Sequence, residues 1–278
     1  IFPLGVMVFG AGTFDQGQFT VSDKIADVLF TTGTTGAPKG VALSFGNLAA
    51  AVKQINAFIR NTKDDVELLA LPISHSFGLG RMRCVLAQGG TLVMLGSFAN
   101  IKRFFIDMEA YGVTGFGMVP ASWGFIKKMS GRYIGRFANQ LKYIEIGSSF
   151  MSVEDKKLLM ELLPKTRICM HYGLTEASRS AYMEFHSEKE NLTTIGKAAD
   201  GVDIALFSPD GKCVGIDEDG EICVKSPSVM QGYYGDPEET AKVIDDEGFF
   251  HTGDLGYVDE ENFLFFTGRK KNLIILDN

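Results

Sequence analysis

Short apolar runs alternate with helical periodicity along the first two-thirds of this chain. Runs at 27–31, 67–71, 91–95, 114–119, 142–146 and 167–171 have the length and apolar character of strands. Between them, apolar residues spaced by three and four predict helices over 45–59, 101–111 and 153–163. The last has the clearest ends, with Ser152 placed to cap it, Asp155 three residues on and Pro164 to stop it. Such alternation predicts an α/β fold, a layered αβ subdomain built on a mixed sheet whose faces the helices cover. Ligands of such sheets gather at the carboxyl ends of the strands.

Beyond about residue 193 the pattern changes. Short strands at 203–207, 221–225, 255–258 and 263–267 are punctuated by Pro209-Asp210-Gly211 and Asp219-Gly220. A small β-barrel-like subdomain is expected there, interrupted by one short helix that Asp236 caps and Pro237 starts, with Glu239 as its capping-box partner. Charge changes at the same place. Residues 200–262 hold 17 acidic and three basic side chains, whereas basic residues outnumber acidic ones before 199. The expected organisation is an αβ subdomain over 1–192, a β subdomain over 193–270, and a hinge with the start of a further domain over 271–278.

Composition narrows the function. At 278 residues with 45% hydrophobic residues, the chain can bury one large core or two smaller ones. Its net charge of −7 argues against non-specific nucleic-acid binding. No apolar stretch approaches the length of a membrane span. Cys84, Cys169, Cys213 and Cys223 have no paired spacing, and the four histidines have no ligand spacing. That pattern argues against a disulfide framework or a zinc site and predicts a reducing, cytoplasmic setting.

The chemistry concentrates in Phe30-Thr31-Thr32-Gly33-Thr34-Thr35-Gly36-Ala37-Pro38-Lys39-Gly40. Glycines let backbone N–H groups turn toward an anion at close range. Thr31, Thr32, Thr34 and Thr35 add hydroxyl donors, and Lys39 adds a charge that neutral donors cannot match. The preceding run 26–30 reads as a buried strand. The common P-loop ends in Gly-Lys-Ser/Thr, whose hydroxyl holds Mg²⁺. Here Gly40 follows Lys39, so a metal ligand must come from elsewhere. Tyr172-Gly173-Leu174-Thr175-Glu176, directly after a strand, offers the Glu176 carboxylate for that purpose.

The loop closely resembles the signature of the adenylate-forming (AMP-binding) enzymes, the superfamily of acyl-CoA synthetases, firefly luciferase and peptide-synthetase adenylation domains. It departs from their usual form only by Thr32 in place of serine. Further segments match in the same order, and the resemblance implies roles for them. Thr175 would touch the α-phosphate, and the Tyr172 ring would pack on adenine beside Gly173. Gly147-Ser148-Ser149-Phe150 would line the adenine pocket, with Phe150 where proline is usual. Asp254, in Phe250-His251-Thr252-Gly253-Asp254, and Arg269, in Gly268-Arg269-Lys270-Lys271, would bind ribose. Lys271 would be the hinge of a C-terminal lid, whose lysine has no counterpart in these residues. His75, in 71–78, would stand beside the acyl and pantetheine tunnel.

The resemblance thus implies an acid–CoA ligase that uses ATP, Mg²⁺ and CoA. A small carboxylic acid would become an acyl-adenylate and then a thioester. Peptide-synthetase relatives commonly place an Asp near the His75 segment to read an α-amino group. This chain has no carboxylate between Glu67 and Asp107, so a fatty or aromatic acid is expected instead. Two other readings stand beside it. One is an acyl-AMP ligase or carrier-dependent adenylation domain that does not use CoA. The other is a non-catalytic nucleotide-binding module.

Overall fold

The computed structural model describes residues 7–10, 22–31 and 38–270. In chain order its elements begin with β1 (Met7–Gly10), β2 (Ile25–Thr31), β3 (Lys39–Ser44), α1 (Phe45–Ile59), β4 (Val66–Leu69) and α2 (Ser76–Ala87). Then come β5 (Thr91–Met94), α3 (Ile101–Ala110), β6 (Gly115–Met118), α4 (Pro120–Ser130), β7 (Tyr143–Ile146), α5 (Val153–Leu162) and β8 (Arg167–Leu174). The remainder is β9 (Ser178–Glu184), β10 (Lys197–Ala198), β11 (Asp203–Phe207), β12 (Gly220–Lys225), β13 (Gly232–Tyr233), α6 (Pro237–Ala241), β14 (Phe250–Val258) and β15 (Leu264–Arg269). The mixed α/β class expected from the sequence is the one found.

Local chemistry explains the helix starts. The Asn100 side chain accepts the Arg103 N–H at 3.0 Å at the head of α3. Ser152 accepts the Asp155 N–H at 3.1 Å at the head of α5, and Asp236 accepts the Glu239 N–H at 3.0 Å at the head of α6. Glu239 does not complete the expected capping box, because its carboxylate is drawn to Lys39 and Lys242 instead.

The described residues form two compact units, which differ from the sequence-expected division. The first comprises β1, 51–171 and 184–192, and the second comprises 22–31, 38–50, 172–183 and 193–270. Thus 22–31, 38–50 and 172–183 group with the β-rich C-terminal part, because β3 pairs with β13 and β9 with β10, and long-range backbone pairing outweighs sequence proximity.

In the first unit β5, β4, β6, β7 and β8 lie side by side in that order and run parallel, with β1 antiparallel on β5. Helical crossovers make a parallel arrangement possible. Its core is aromatic, with Phe104 ring centroids 5.2 Å from Phe98 and 5.3 Å from Phe116. Inside it lies an ionic cluster. The fully buried Arg81 reaches both oxygens of Glu67, Glu145 at 3.1 Å and Asn61 at 2.9 Å. The Tyr143 hydroxyl also donates to Glu67 at 2.6 Å.

In the second unit β11, β12, β14 and β15 form a four-stranded antiparallel sheet, and β13, β3 and β2 form a three-stranded one. The small β subdomain is therefore realised as antiparallel sheets. The β2 strand is not the buried strand expected from its apolar run. It lies at the edge of its sheet, with Phe30 71% exposed, while β3 beside it is buried.

Candidate active site

Most of the sequence-predicted polar residues that are described fall in the second unit, where they form two linked groups. The first surrounds Asp254. Between Glu221 and Cys223 the β12–β14 ladder shifts register, so that Ile222 alone faces the three residues Thr252, Gly253 and Asp254. Such a bulge re-aims a side chain without ending the strand. Gly253 has φ +74°, a conformation that favours glycine, and its N–H is taken up by Glu221 at 3.0 Å. The Thr252 hydroxyl donates to the Ile222 carbonyl at 2.7 Å and accepts the Asp254 N–H at 3.0 Å. Asp254 is thus a residue of a bulged strand rather than of a free turn.

Its side chain is 2% exposed and is held at both oxygens. The Tyr172 hydroxyl donates to Oδ2 at 2.9 Å, and Arg269 Nε stands 2.8 Å from Oδ1. Arg269 is the direct cross-strand partner of Asp254. Burial and the neighbouring Asp254 charge hold the Tyr172 phenol well above its ordinary pKa, so it remains a hydrogen-bond donor. Gly173 follows at a point where a side chain is impossible. A Cβ there would lie 1.8 Å from the Ser178 carbonyl oxygen, so the chain folds back on itself at once into β9. The β8 strand continues through Tyr172 to Leu174, and Thr175 and Glu176 sit in the tight return.

The second group joins Glu176 to Lys39 through Tyr233, a residue that sequence reasoning missed. The Tyr233 hydroxyl donates to Glu176 at 3.2 Å, and Lys39 Nζ lies 4.9 Å from the centre of the same ring. Burial raises the Glu176 carboxyl above its usual range, opposed by local hydrogen bonds and the charges of Lys39 and Arg269. A carboxylate whose ionisation is held back by burial gains most from a cation close by. Lys39 is also paired with Glu239, which Lys242 reaches at 2.9 Å, and these two lysines draw the Glu239 carboxyl down to about 2. The only sequence signal for Tyr233 is Gly232-Tyr233 beside the capped helix, which carries no chemistry by itself.

Thr31 and Lys39 are directly paired residues at the ends of β2 and β3. Thr32, Gly33, Thr34, Thr35 and Gly36 lie outside the described residues, as does Lys271. The other predicted residues belong to the first unit. Ser148, Ser149 and Phe150 follow β7 in exposed positions, with Ser148 at φ +74° and Phe150 83% exposed. His75 is exposed at the head of α2, where its side chain makes no capping bond. A different histidine is built into that unit. His171 Nδ1 lies 2.8 Å from Glu145, and its ring meets Phe77 edge-on at 4.7 Å.

Residues 11–234 match the AMP-binding enzyme family. The chain is 32% identical over 259 residues to 4-coumarate–CoA ligase-like 2 of Arabidopsis thaliana, covering 91% of this chain and 45% of that protein. It is 30% identical over 263 residues to 4-coumarate–CoA ligase 1 of Narcissus pseudonarcissus, covering 91% and 48%. Among solved structures, ATP-bound MatB from Rhodopseudomonas palustris matches with a TM-score of 0.81 at 31% identity, over 91% of this chain and 50% of that one. O-succinylbenzoate coenzyme A synthetase (MenE) from Bacillus subtilis, in complex with ATP and magnesium, matches with 0.82 at 28% identity, over 91% and 52%. The chain spans about half the length of the curated relatives it matches.

Proposed function

Because the chain belongs to the AMP-binding enzyme family, we propose that it carries the nucleotide and acid sites of an acid–CoA ligase. The proposed substrate is a plain carboxylic acid, aromatic or fatty, activated by ATP and passed to CoA. The observation that carries this reading is the bulged Asp254 carboxylate, held between Tyr172 and Arg269 in the same unit as Lys39 and Glu176.

A carboxylate is a poor electrophile. Joining one of its oxygens to the α-phosphorus of ATP, with pyrophosphate leaving, supplies a leaving group. A thiol can then attack the acyl carbon and expel AMP. Two anions must first be held together, and each residue has a part in this. Asp254 accepts the ribose hydroxyls, and Arg269 holds and aims that carboxylate. The Tyr172 hydrogen bond fixes the ring that packs on adenine. Lys39 exchanges Glu239 for phosphate oxygen, and Thr175 donates its hydroxyl there. Glu176 suits Mg²⁺, since it is a half-buried carboxylate to which the neutral Tyr233 phenol donates. When bound, Mg²⁺ would offset charge on the phosphate oxygens. Thr31 to Gly36 complete the phosphate loop in this reading, Ser148 to Phe150 border adenine, and His75 borders the acyl path.

The choice of acid rests on the absence of a carboxylate between Glu67 and Asp107. An α-ammonium group buried there unpaired would cost several kcal/mol. The relatives from Arabidopsis and Narcissus are a 4-coumarate–CoA ligase-like protein and a 4-coumarate–CoA ligase, and the four free cysteines suit a cytoplasmic setting. The test is Mg-ATP-dependent pyrophosphate release by the protein carrying this chain, against aromatic, fatty and α-amino acids. Aromatic or fatty acids should give the faster release, with CoA thioester as product. Preferential release with an amino acid would overturn the choice of acid, and release without thioester would overturn the choice of acceptor.

A further inference from the structure

A second cluster flanks the same bulge. Glu221 and Cys223 are two residues apart on β12, so both project from one face of the strand. His251 on β14 is the direct cross-strand partner of Cys223. The His251 Nδ1 atom stands 2.9 Å from Glu221 Oε2 and 3.2 Å from Cys223 Sγ, and the three donor atoms all lie within 4.8 Å of one another. Glu221 and Cys223 are buried, and His251 is partly open at 28% side-chain exposure. The other ring nitrogen, Nε2, faces Asp245 Oδ2 at 3.2 Å.

We infer that Glu221, Cys223 and His251 form a binding site for a soft divalent cation of the zinc class. Thiolate, imidazole and carboxylate together select such a cation over magnesium or calcium. Tetrahedral bonds of about 2.0–2.3 Å would set the three donors roughly 3.3–3.7 Å apart. The two histidine contacts are shorter by only a few tenths of an ångström and all three donors lie within 4.8 Å of one another, so modest side-chain rotations shape the triangle. Asp245 supplies the outer partner that a ligating histidine requires. It takes the Nε2 hydrogen and leaves the Nδ1 lone pair facing Cys223 and Glu221. Glu221 Oε1 can keep the Gly253 N–H while Oε2 turns to the metal. Lys270, now on Glu221 Oε2 and half exposed, gives up that oxygen to the incoming dication. The thiol proton leaves on binding, and water fills the fourth position. Because Glu221 also holds the Gly253 N–H beside Asp254, a bound metal would adjust the ribose carboxylate through the bulge.

Cobalt(II) reports such a site directly. One equivalent added to the metal-free chain should give the visible bands of tetrahedral cobalt and a near-ultraviolet sulfur-to-cobalt charge-transfer band. Zinc should bleach both. Cys223→Ser should lose the charge-transfer band, whereas Cys213→Ser, at the exposed cysteine, should keep it. Zinc, but not magnesium, should also raise the melting temperature of the unaltered chain and saturate at one equivalent, a measurement that survives if Cys223→Ser fails to fold. A charge-transfer band retained in Cys223→Ser, or no saturable zinc-dependent shift in the unaltered chain, would overturn the site.

Discussion

Replacing Asp254 by alanine should weaken binding of Mg-ATP to this chain by about 10- to 100-fold while leaving the fold standing. In the proposed site the carboxylate accepts two ribose hydroxyls, each charge-assisted bond worth roughly 1.5–3 kcal/mol. The gross loss is therefore about 3–6 kcal/mol. The free protein already holds Asp254 through Tyr172 at 2.9 Å and Arg269 at 2.8 Å, and the ligand's bonds partly replace these. About half the gross value remains as net loss, which sets the fold-change. Stability should fall separately. The half-buried Tyr172 hydroxyl loses its acceptor at a cost of about 1–3 kcal/mol, whereas Arg269, 45% exposed, loses less than about 1 kcal/mol. At about 2–4 °C per kcal/mol, a total loss of about 1–4 kcal/mol should lower the melting temperature by roughly 2–16 °C. Titration calorimetry gives the affinity and scanning calorimetry the melting point. The double variant Tyr172→Phe/Asp254→Ala should recover part of the stability and none of the affinity. Unchanged affinity in Asp254→Ala, or affinity restored in the double variant, would refute the ribose role.

Glu176→Gln should abolish most of the gain in ATP affinity that Mg²⁺ confers, by about tenfold or more, while leaving magnesium-free binding nearly unchanged in calorimetry with and without chelator. Because burial raises the Glu176 pKa, the magnesium-dependent part in the unaltered chain should fade as pH drops through that raised value, and a flat profile would contradict this. Lys156, whose ammonium reaches the Leu192 carbonyl at 2.6 Å and the Phe185 face, is pushed down to about 8 by burial, against about 10.4 in an unfolded chain. The unfolded state binds the extra proton between those values, so stability should be lowest below about pH 8 and rise by about 3 kcal/mol toward about pH 10. Lys156→Met should flatten that rise in urea unfolding, and an unchanged slope would count against it. Arg81→Met strands Glu67 and Glu145 in the core and should cost about 3–5 kcal/mol, with partial recovery when both become glutamine. Recovery is read from denaturant midpoints.

Local pattern revealed what local forces build. The α1 helix, α5 with its Ser152 cap, and β11 match their sequence-expected spans within a residue, because periodicity and capping act over a few residues. The α2 helix was not legible, since Gly78, Gly80 and three basic or polar residues break its apolar stripe, and Arg81 on it faces the core. The β3 strand hid behind Gly40 and a short apolar run, and it is identified by its pairing with β2 and β13. Motif residues Tyr172, Asp254 and Arg269 could be named from the sequence, but their mutual contacts depend on strand register. Tyr233 was missed for the same reason, as its role exists only through residues some 60 and 190 positions away. Cys223 and His251 show no ligand spacing along the chain, and the β12–β14 ladder alone makes them neighbours.

The central claim is that acid activation proceeds through a bond between the acid's carboxylate and the α-phosphorus of ATP. The most direct test follows the oxygen. The protein carrying this chain is given Mg-ATP, CoA and an aromatic acid labelled with heavy oxygen in both carboxylate positions, and the nucleotide product is weighed by mass spectrometry. Expulsion of AMP by the thiol breaks the acyl carbon–oxygen bond, so the account predicts AMP carrying one heavy oxygen from the acid. Unlabelled AMP, or ADP in its place, would contradict it.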